Sequence, residues 1–179
     1  ATKEGVSADP EALHQIALKA DGALRDALSI FDQLVTFAGS TLTYQNVLDN
    51  LHILDYEYYF KITDAAEKEA ISAALLILND IYEKGFDGHH FVVGLSEHVR
   101  NLLVCKDPKT ATLLEAPDTI KQRYISQAHE IESQRLLRSL QVLSKTDVSY
   151  KASKNQRLLI EVALMQLCSL KQEQEKKKD

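Results

Sequence analysis

The chain has 179 residues, of which 45% are hydrophobic and 26% are charged, as in an ordinary globular protein with a buried core. Its 6 glycines and 3 prolines are too few for a loop-rich β fold or a long disordered linker. Its net charge of −5 argues against strong, autonomous DNA binding, which requires a basic footprint.

The cysteines and the chain start indicate where the protein works. Cys105 and Cys168 lie far apart in apolar, helical surroundings, which favours buried, reduced thiols over a disulfide or a metal site. No apolar run reaches the length of a membrane span, and residues 1–7 lack the basic start and apolar centre of a signal peptide. We therefore expect a cytoplasmic protein with no membrane partner.

Two amphipathic helices are predicted within residues 1–40. Asp9 resembles an N-cap at the start of a helix that runs to Lys19. Apolar residues spaced three and four apart predict a second helix over 23–37, and Gly39 is expected to end it. Two helices of this size are too small to form a stable domain alone.

The rest of the chain repeats the helical spacing. Thr43 and Asp87 are suitable N-caps, and Gly85 is a suitable helix stop. Thr43 begins a third predicted helix, and further helices are predicted over 56–66, 67–84, 87–107, 109–114, 117–128, 131–143 and 154–170. No segment alternates with a period of two for long enough to predict a strand. The predicted fold class is all-α, a short helical unit followed by a bundle of antiparallel helices.

Histidines on the predicted helix 87–107 raise the question of a metal site. His90 and His98 are eight residues apart and could share one helix face, with Cys105 as a further ligand. A zinc site would need more ligands than these, so surface or capping histidines are favoured and no metal is predicted.

Other charged and aromatic clusters have simpler interpretations than catalysis. Irregularly spaced carboxylates favour a solvated face; they are Asp55, Glu57, Asp64, Glu67 and Glu69. A basic cluster favours an interface or a solvated turn over a nucleic-acid patch; its members are Lys145, Lys151, Lys154 and Arg157. Four closely spaced aromatic residues on one helix cannot all face one core, so one or two are expected at an interface; they are Tyr56, Tyr58, Tyr59 and Phe60. Wide apolar stripes on helices 87–106 and 154–170 also indicate an oligomer.

The most informative stretch is Gly22 to Gln33, which reads Gly-x-x-Arg-Asp-Ala-x-Ser-x-x-Asp-Gln. Three weaker blocks follow in order at 82–87, 95–104 and 154–161. Together they resemble the gamma/tau subunit family of bacterial DNA polymerase III over nearly the whole chain. The chain departs from the family pattern at Ala23-Leu24, where Ser-Met is frequent, and at Gln156, where Pro is usual.

The resemblance implies a division into three parts. Residues 1–40 would be the C-terminal part of a AAA+ lid domain, residues 41–173 a helical collar for oligomerisation, and residues 174–179 a charged tail. Arg25 would be the sensor-2 arginine that contacts the ATP phosphates in the intact parent, with Leu24 as a minor contact. Spacing alone favours a surface arginine bonded to Asp26 or Asp32, and the resemblance reverses that preference.

The resemblance also implies what this fragment lacks. The sequence contains no Gly-x-x-x-x-Gly-Lys-Ser/Thr phosphate loop, no Asp-Glu metal-binding segment and no Ser-Arg-Cys arginine-finger segment. We therefore expect that the fragment itself is not catalytic and binds no cofactor, and that ATP and Mg²⁺ belong to the intact ATPase parent.

The partners implied by the family are those of a clamp loader. Other gamma/tau copies and the delta and delta prime subunits would join through the collar, and the assembled complex would act on the sliding clamp and primer–template DNA. An alternative is a free-standing helical adaptor without nucleotide function, which an upstream phosphate loop would argue against. An enzyme with a helical-bundle active site is disfavoured, because the paired Glu-x-x-His motifs of such sites are missing.

Overall fold

The computed structural model describes residues 5–175. Within that range it contains two short strands, β1 (Ser7–Ala8) and β2 (Thr41–Leu42), and ten helices. The helices are α1 (Pro10–Lys19), α2 (Leu24–Ala38), α3 (Tyr44–Leu51), α4 (Tyr56–Glu67), α5 (Ile71–Glu83), α6 (Gly88–Val104), α7 (Pro108–Ala111), α8 (Asp118–Glu130), α9 (Ser133–Tyr150) and α10 (Gln156–Glu175). The predicted all-α fold class is confirmed. Most of the predicted tail 174–179 lies outside the described residues.

The chain divides into two compact units, Ala1–Asp55 with Ala116–Asp118, and Tyr56–Glu115 with Thr119–Asp179. The predicted domain boundary after residue 40 stays a prediction. The first compact unit continues to Asp55 because α3 buries Val47 in the same core as α1 and α2.

The first unit is a three-helix cluster tied together by two short parallel strands. Ser7 pairs with Thr41 and Ala8 with Leu42, a ladder that period-two patterning could not reveal because each strand has two residues. The core of this unit is apolar and consists of Val6, Ala12, Ile16, Phe31, Leu34, Leu42 and Val47.

Of the two helix N-caps predicted in the first unit, one forms the expected side-chain hydrogen bond and the other does not. Thr43 caps α3 as predicted, since its hydroxyl accepts a hydrogen bond from the Asn46 amide at 3.2 Å and the Asn46 side chain accepts one from the Thr43 amide. Asp9 occupies the N-cap position of α1, but its side chain makes no cap hydrogen bond there. Its carboxylate instead accepts a hydrogen bond from the Tyr44 amide at 3.0 Å, which joins the starts of α1 and α3.

The second unit is a helical bundle centred on α6 and α9, with α4, α5 and α10 packed around them. Its largest fully buried side chains are Phe91, Ile62, Leu78, Ile81, Leu95, Leu102, Leu136, Leu143, Ile160 and Leu164. Asp87 caps α6 as predicted, because its carboxylate accepts a hydrogen bond from the His90 amide at 2.9 Å.

Three helix boundaries in the second unit differ from prediction by four residues or more. Helix α5 begins at Ile71 rather than 67 because Glu69 takes a left-handed conformation with φ 56°. Helix α9 runs to Tyr150 rather than 143, since Thr146 and Tyr150 continue its buried face with side chains that are not purely apolar. Helix α10 runs to Glu175 rather than 170 through the good helix formers of its last turns.

Gly94 lets α4 and α6 approach each other closely, and its replacement by alanine is expected to destabilise the second unit. A Cβ at residue 94 would overlap the Tyr59 ring, with Cζ at 2.6 Å. Gly94→Ala is expected to lower the free energy of unfolding by about 1–3 kcal/mol despite the better helix propensity of alanine. Urea denaturation measures this loss, and Gly94→Ala/Tyr59→Phe should recover part of it because the ring hydroxyl is the nearest group. An unchanged or higher stability of Gly94→Ala would contradict the close packing.

Candidate functional site

Arg25 occupies the second position of α2 and is exposed to solvent. The chain reaches it through a tight turn in which Asp21 and Gly22 both have positive φ, 48° and 77°. Leu24, the predicted minor contact, is 74% exposed beside it. The structure thus presents both predicted residues at the surface of the first unit.

The start of α2 has the chemistry of an anion site. The N-cap residue Ala23 supplies no side-chain hydrogen bond, so the first amides of the helix lack a side-chain cap. Among residues 5–175, no hydrogen bond or ion pair to Arg25 is observed, so the pairing with Asp26 or Asp32 that spacing favoured is not formed. Uncapped amides, the helix dipole and a guanidinium together suit a phosphate. The phosphate role of Arg25 stays a prediction.

His98 is buried, so the preference for surface or capping histidines is wrong at this position. It is 1% exposed, and burial lowers the pKa of its imidazole to about 3. His89 and His90 do lie nearer the surface, His89 against Asp147 of α9 at 2.6 Å and His90 beside the α6 cap Asp87. Within the part of the chain that the structure describes, no three His, Cys, Asp or Glu side chains form a metal-binding group.

The hydrogen bonds around His98 fix its tautomer. The amide nitrogen of Gln127 donates to the Phe60 carbonyl at 3.1 Å and to Asp64 at 2.6 Å, which leaves the Gln127 oxygen facing His98. His98 Nε2 therefore carries the proton and donates to that oxygen at 3.2 Å, while Nδ1 accepts from the Tyr124 hydroxyl at 3.0 Å. Burial also raises the pKa of Tyr124 to about 12, which keeps this donor protonated.

Carboxylates predicted to form a solvated face have specific partners instead. The Tyr44 hydroxyl donates to Asp55 at 3.4 Å, and three other carboxylates bond across helices of the second unit. Glu57 forms a bidentate ion pair with Arg123 of α8. Asp64 accepts the hydrogen bond from Gln127, and Glu67 pairs with the buried Arg135 at 2.9 Å. These contacts attach α8 and α9 to α4. Their partners are 63 to 68 residues away in the chain, too far for spacing to reveal them.

The predicted basic cluster is not one continuous patch of available cations. Arg157 bonds Glu161 and Asn79, and its guanidinium lies 5.2 Å from the centre of the Tyr82 ring. Lys151 and Lys154 are exposed around the turn between α9 and α10.

Cys105 and Cys168 are free and buried, as predicted, and burial raises the pKa of both thiols.

One face of α9 points away from the bundle core and carries apolar side chains. Its Val148 is 80% exposed and its Leu137 is 44% exposed. A shallow groove of about 670 Å³ follows this face, lined by Gln134, Leu137, Leu140, Gln141, Ser144, Lys145, Val148 and Ser149. Residues spaced three, four and seven apart form this stripe. Leu137 directly follows the buried Leu136, and helical spacing alone does not show which of these neighbouring stripes faces the core. Among the described helices, none is long and apolar enough to cross a membrane.

Two family models together match nearly the whole chain. The family model for DNA polymerase III subunits gamma and tau, domain III, matches residues 42–179, and that for the ATPase lid domain of the DNA polymerase III clamp loader subunit matches residues 1–40. The chain belongs to the DNA polymerase III gamma and tau subunit family. The resemblance stated from the sequence is thereby confirmed.

Individual relatives agree with this family. DNA polymerase III subunit tau of Bacillus subtilis is 26% identical over 166 residues, and subunit gamma/tau of Mycobacterium tuberculosis is 28% identical over 170. Each alignment covers 92% of this chain but 29% of the relative, so the chain spans about three tenths of the length of these gamma/tau proteins. The solved structure of the Bacillus subtilis DNA clamp loader delta protein has the same fold, with a TM-score of 0.58, 20% identity, and coverage of 94% of this chain and 53% of that one.

Proposed function

We propose that this gamma/tau fragment is the assembly module of a cytoplasmic clamp-loader ATPase. Its second unit would join further gamma/tau copies and the delta and delta prime subunits into the complex that places a sliding clamp on primer–template DNA. The observation that carries the proposal is the family match over 42–179, most of which lies in the helical bundle of the second unit. The free-standing adaptor is not favoured, because the lid match over 1–40 connects the bundle to an ATPase.

The outer face of α9 is the surface we assign to this assembly. It combines exposed Leu137 and Val148 with short polar side chains, and Lys145 is its one charged residue among those that line the groove. An apolar centre with few charges is typical of subunit contacts, and apolar area is what association buries.

Val148→Asp is expected to weaken association with the partner subunits about tenfold or more, because it places a charge in an apolar contact. Sedimentation of the chain with gamma/tau, delta and delta prime measures the change. Leu76→Asp is a matched control, since Leu76 is 70% exposed on α5, away from this face. Val148→Asp should not lower the free energy of unfolding by more than about 0.5 kcal/mol. If both variants associated equally well, the outer face of α9 would not be the assembly surface. If the wild-type chain bound none of these partners, the proposed assembly function would be refuted.

We propose further that Arg25 couples the lid to nucleotide in the intact parent. ATP with Mg²⁺ would be held mainly by the upstream phosphate loop, and the phosphates would supply the negative charge that Arg25 and the α2 amides bind. What supports this role is the exposed position of Arg25 at a helix start without a side-chain cap.

A further inference from the structure

A small, partly open cavity lies in the second unit where α4, α6, α9 and α10 meet. Its volume is about 20 Å³. That is enough for one water molecule and too small for any larger ligand. Its apolar wall is formed by Ile62, Ala66, Leu95, Val99, Ile131, Leu136 and Leu167, and its polar wall by Thr63, Glu67, Arg135 and Ser139.

The polar wall offers both donors and acceptors. The Thr63 hydroxyl donates its proton to the Tyr59 carbonyl, and the Ser139 hydroxyl donates its proton to the Arg135 carbonyl, each at 2.9 Å. Both hydroxyl oxygens can therefore only accept a further hydrogen bond.

Arg135 supplies the donors. Its side chain is 7% exposed, and it donates to Glu67 at 2.9 Å and to the Ala66 carbonyl at 3.0 Å. A guanidinium has five N–H groups, so this buried cation has more donors than these two acceptors use. One water can accept a hydrogen bond from such a donor and donate its two protons to the two hydroxyl oxygens.

We propose that this cavity is a binding site for one structural water, which accepts from Arg135 and donates to the hydroxyls of Thr63 and Ser139. Purely apolar cavities of proteins stay dry, and the mixed wall distinguishes this cavity from them. The water would complete the polar contact that joins the end of α4 to the start of α9, and it would therefore fix how these two helices meet.

A crystal structure of the 179-residue chain tests the site. We expect a density peak within about 3.2 Å of Thr63 Oγ1, Ser139 Oγ and an Arg135 nitrogen. Thr63→Val and Ser139→Ala should each lose the peak. Thr146→Val is the matched control, because Thr146 is also buried on a helix and its hydroxyl also donates to the carbonyl four residues earlier at 2.9 Å, yet it does not line the cavity.

Relaxation dispersion of water nuclei in solution provides a second readout. The count of long-lived waters should fall by one in Thr63→Val and stay constant in Thr146→Val. Absence of the peak in the wild-type crystal overturns the proposal, as does a peak that persists unchanged in both cavity variants. The wild-type measurement decides the question even where a variant fails to fold.

Discussion

Acidification from pH 7 to pH 5 is expected to lower the stability of the second unit by about 2 kcal/mol through His98 alone. The unfolded chain binds a proton at His98 with a pKa near 6.5, whereas burial lowers the folded pKa to about 3. Well above pH 6.5 neither state is protonated at His98, and the full stability is present. As the pH falls from 6.5 towards 3, only the unfolded state gains the proton, so stability is lost across that window.

Urea denaturation between pH 7.5 and pH 4.5 measures the effect. His98→Gln removes the titrating group, so its stability should depend less on pH than that of the wild type, even though the variant starts from a lower stability. His129→Gln is the matched control, because His129 is exposed on α8. If wild type and His98→Gln showed parallel pH profiles, His98 would not be the buried neutral histidine that the hydrogen-bond network requires.

The parts of the fold that could be predicted are those fixed by neighbouring residues. Thr43 and Asp87 cap helices because an N-cap bonds amides two or three residues away, which sequence spacing shows directly. The local conformation at Glu69 could not be predicted, since a non-glycine residue rarely adopts positive φ and no glycine or proline marks the break. The two strands could not be predicted either, because each has two residues and is defined only by its pairing with the other.

The polar interior of the second unit is a different case. The pairing of Arg135 with Glu67 depends on how α9 meets α4, which no local pattern encodes. The burial of His98 could have been found, because it lies three residues after Leu95 and four before Leu102, on the buried stripe of α6. Its polar side chain was assigned to the surface by residue type, whereas Tyr124 and Gln127 of α8 provide the hydrogen bonds that make burial tolerable.

In the full-length protein, Arg25→Ala is expected to weaken ATP binding about 10- to 100-fold and to reduce ATP-dependent clamp loading at limiting ATP. The estimate follows from the loss of a charge-assisted hydrogen bond to phosphate, worth about 1.5–3 kcal/mol, with about 1.4 kcal/mol for each factor of ten. Because Arg25 is exposed and unpaired among residues 5–175, its removal should leave the fold intact, with a stability change within about 0.5 kcal/mol.

The matched control for Arg25 is Lys19→Ala, which removes an exposed cation from the last turn of α1 in the same unit. A general electrostatic attraction for ATP would be weakened alike by both variants, whereas a specific phosphate contact would be lost only with Arg25. Arg25→Lys should recover part of the affinity, since an ammonium keeps the charge but cannot bind two phosphate oxygens in a planar fork. If Arg25→Ala loaded the clamp as well as the wild type, Arg25 would not couple the lid to nucleotide. The proposed phosphate contact at the start of α2 would then be refuted.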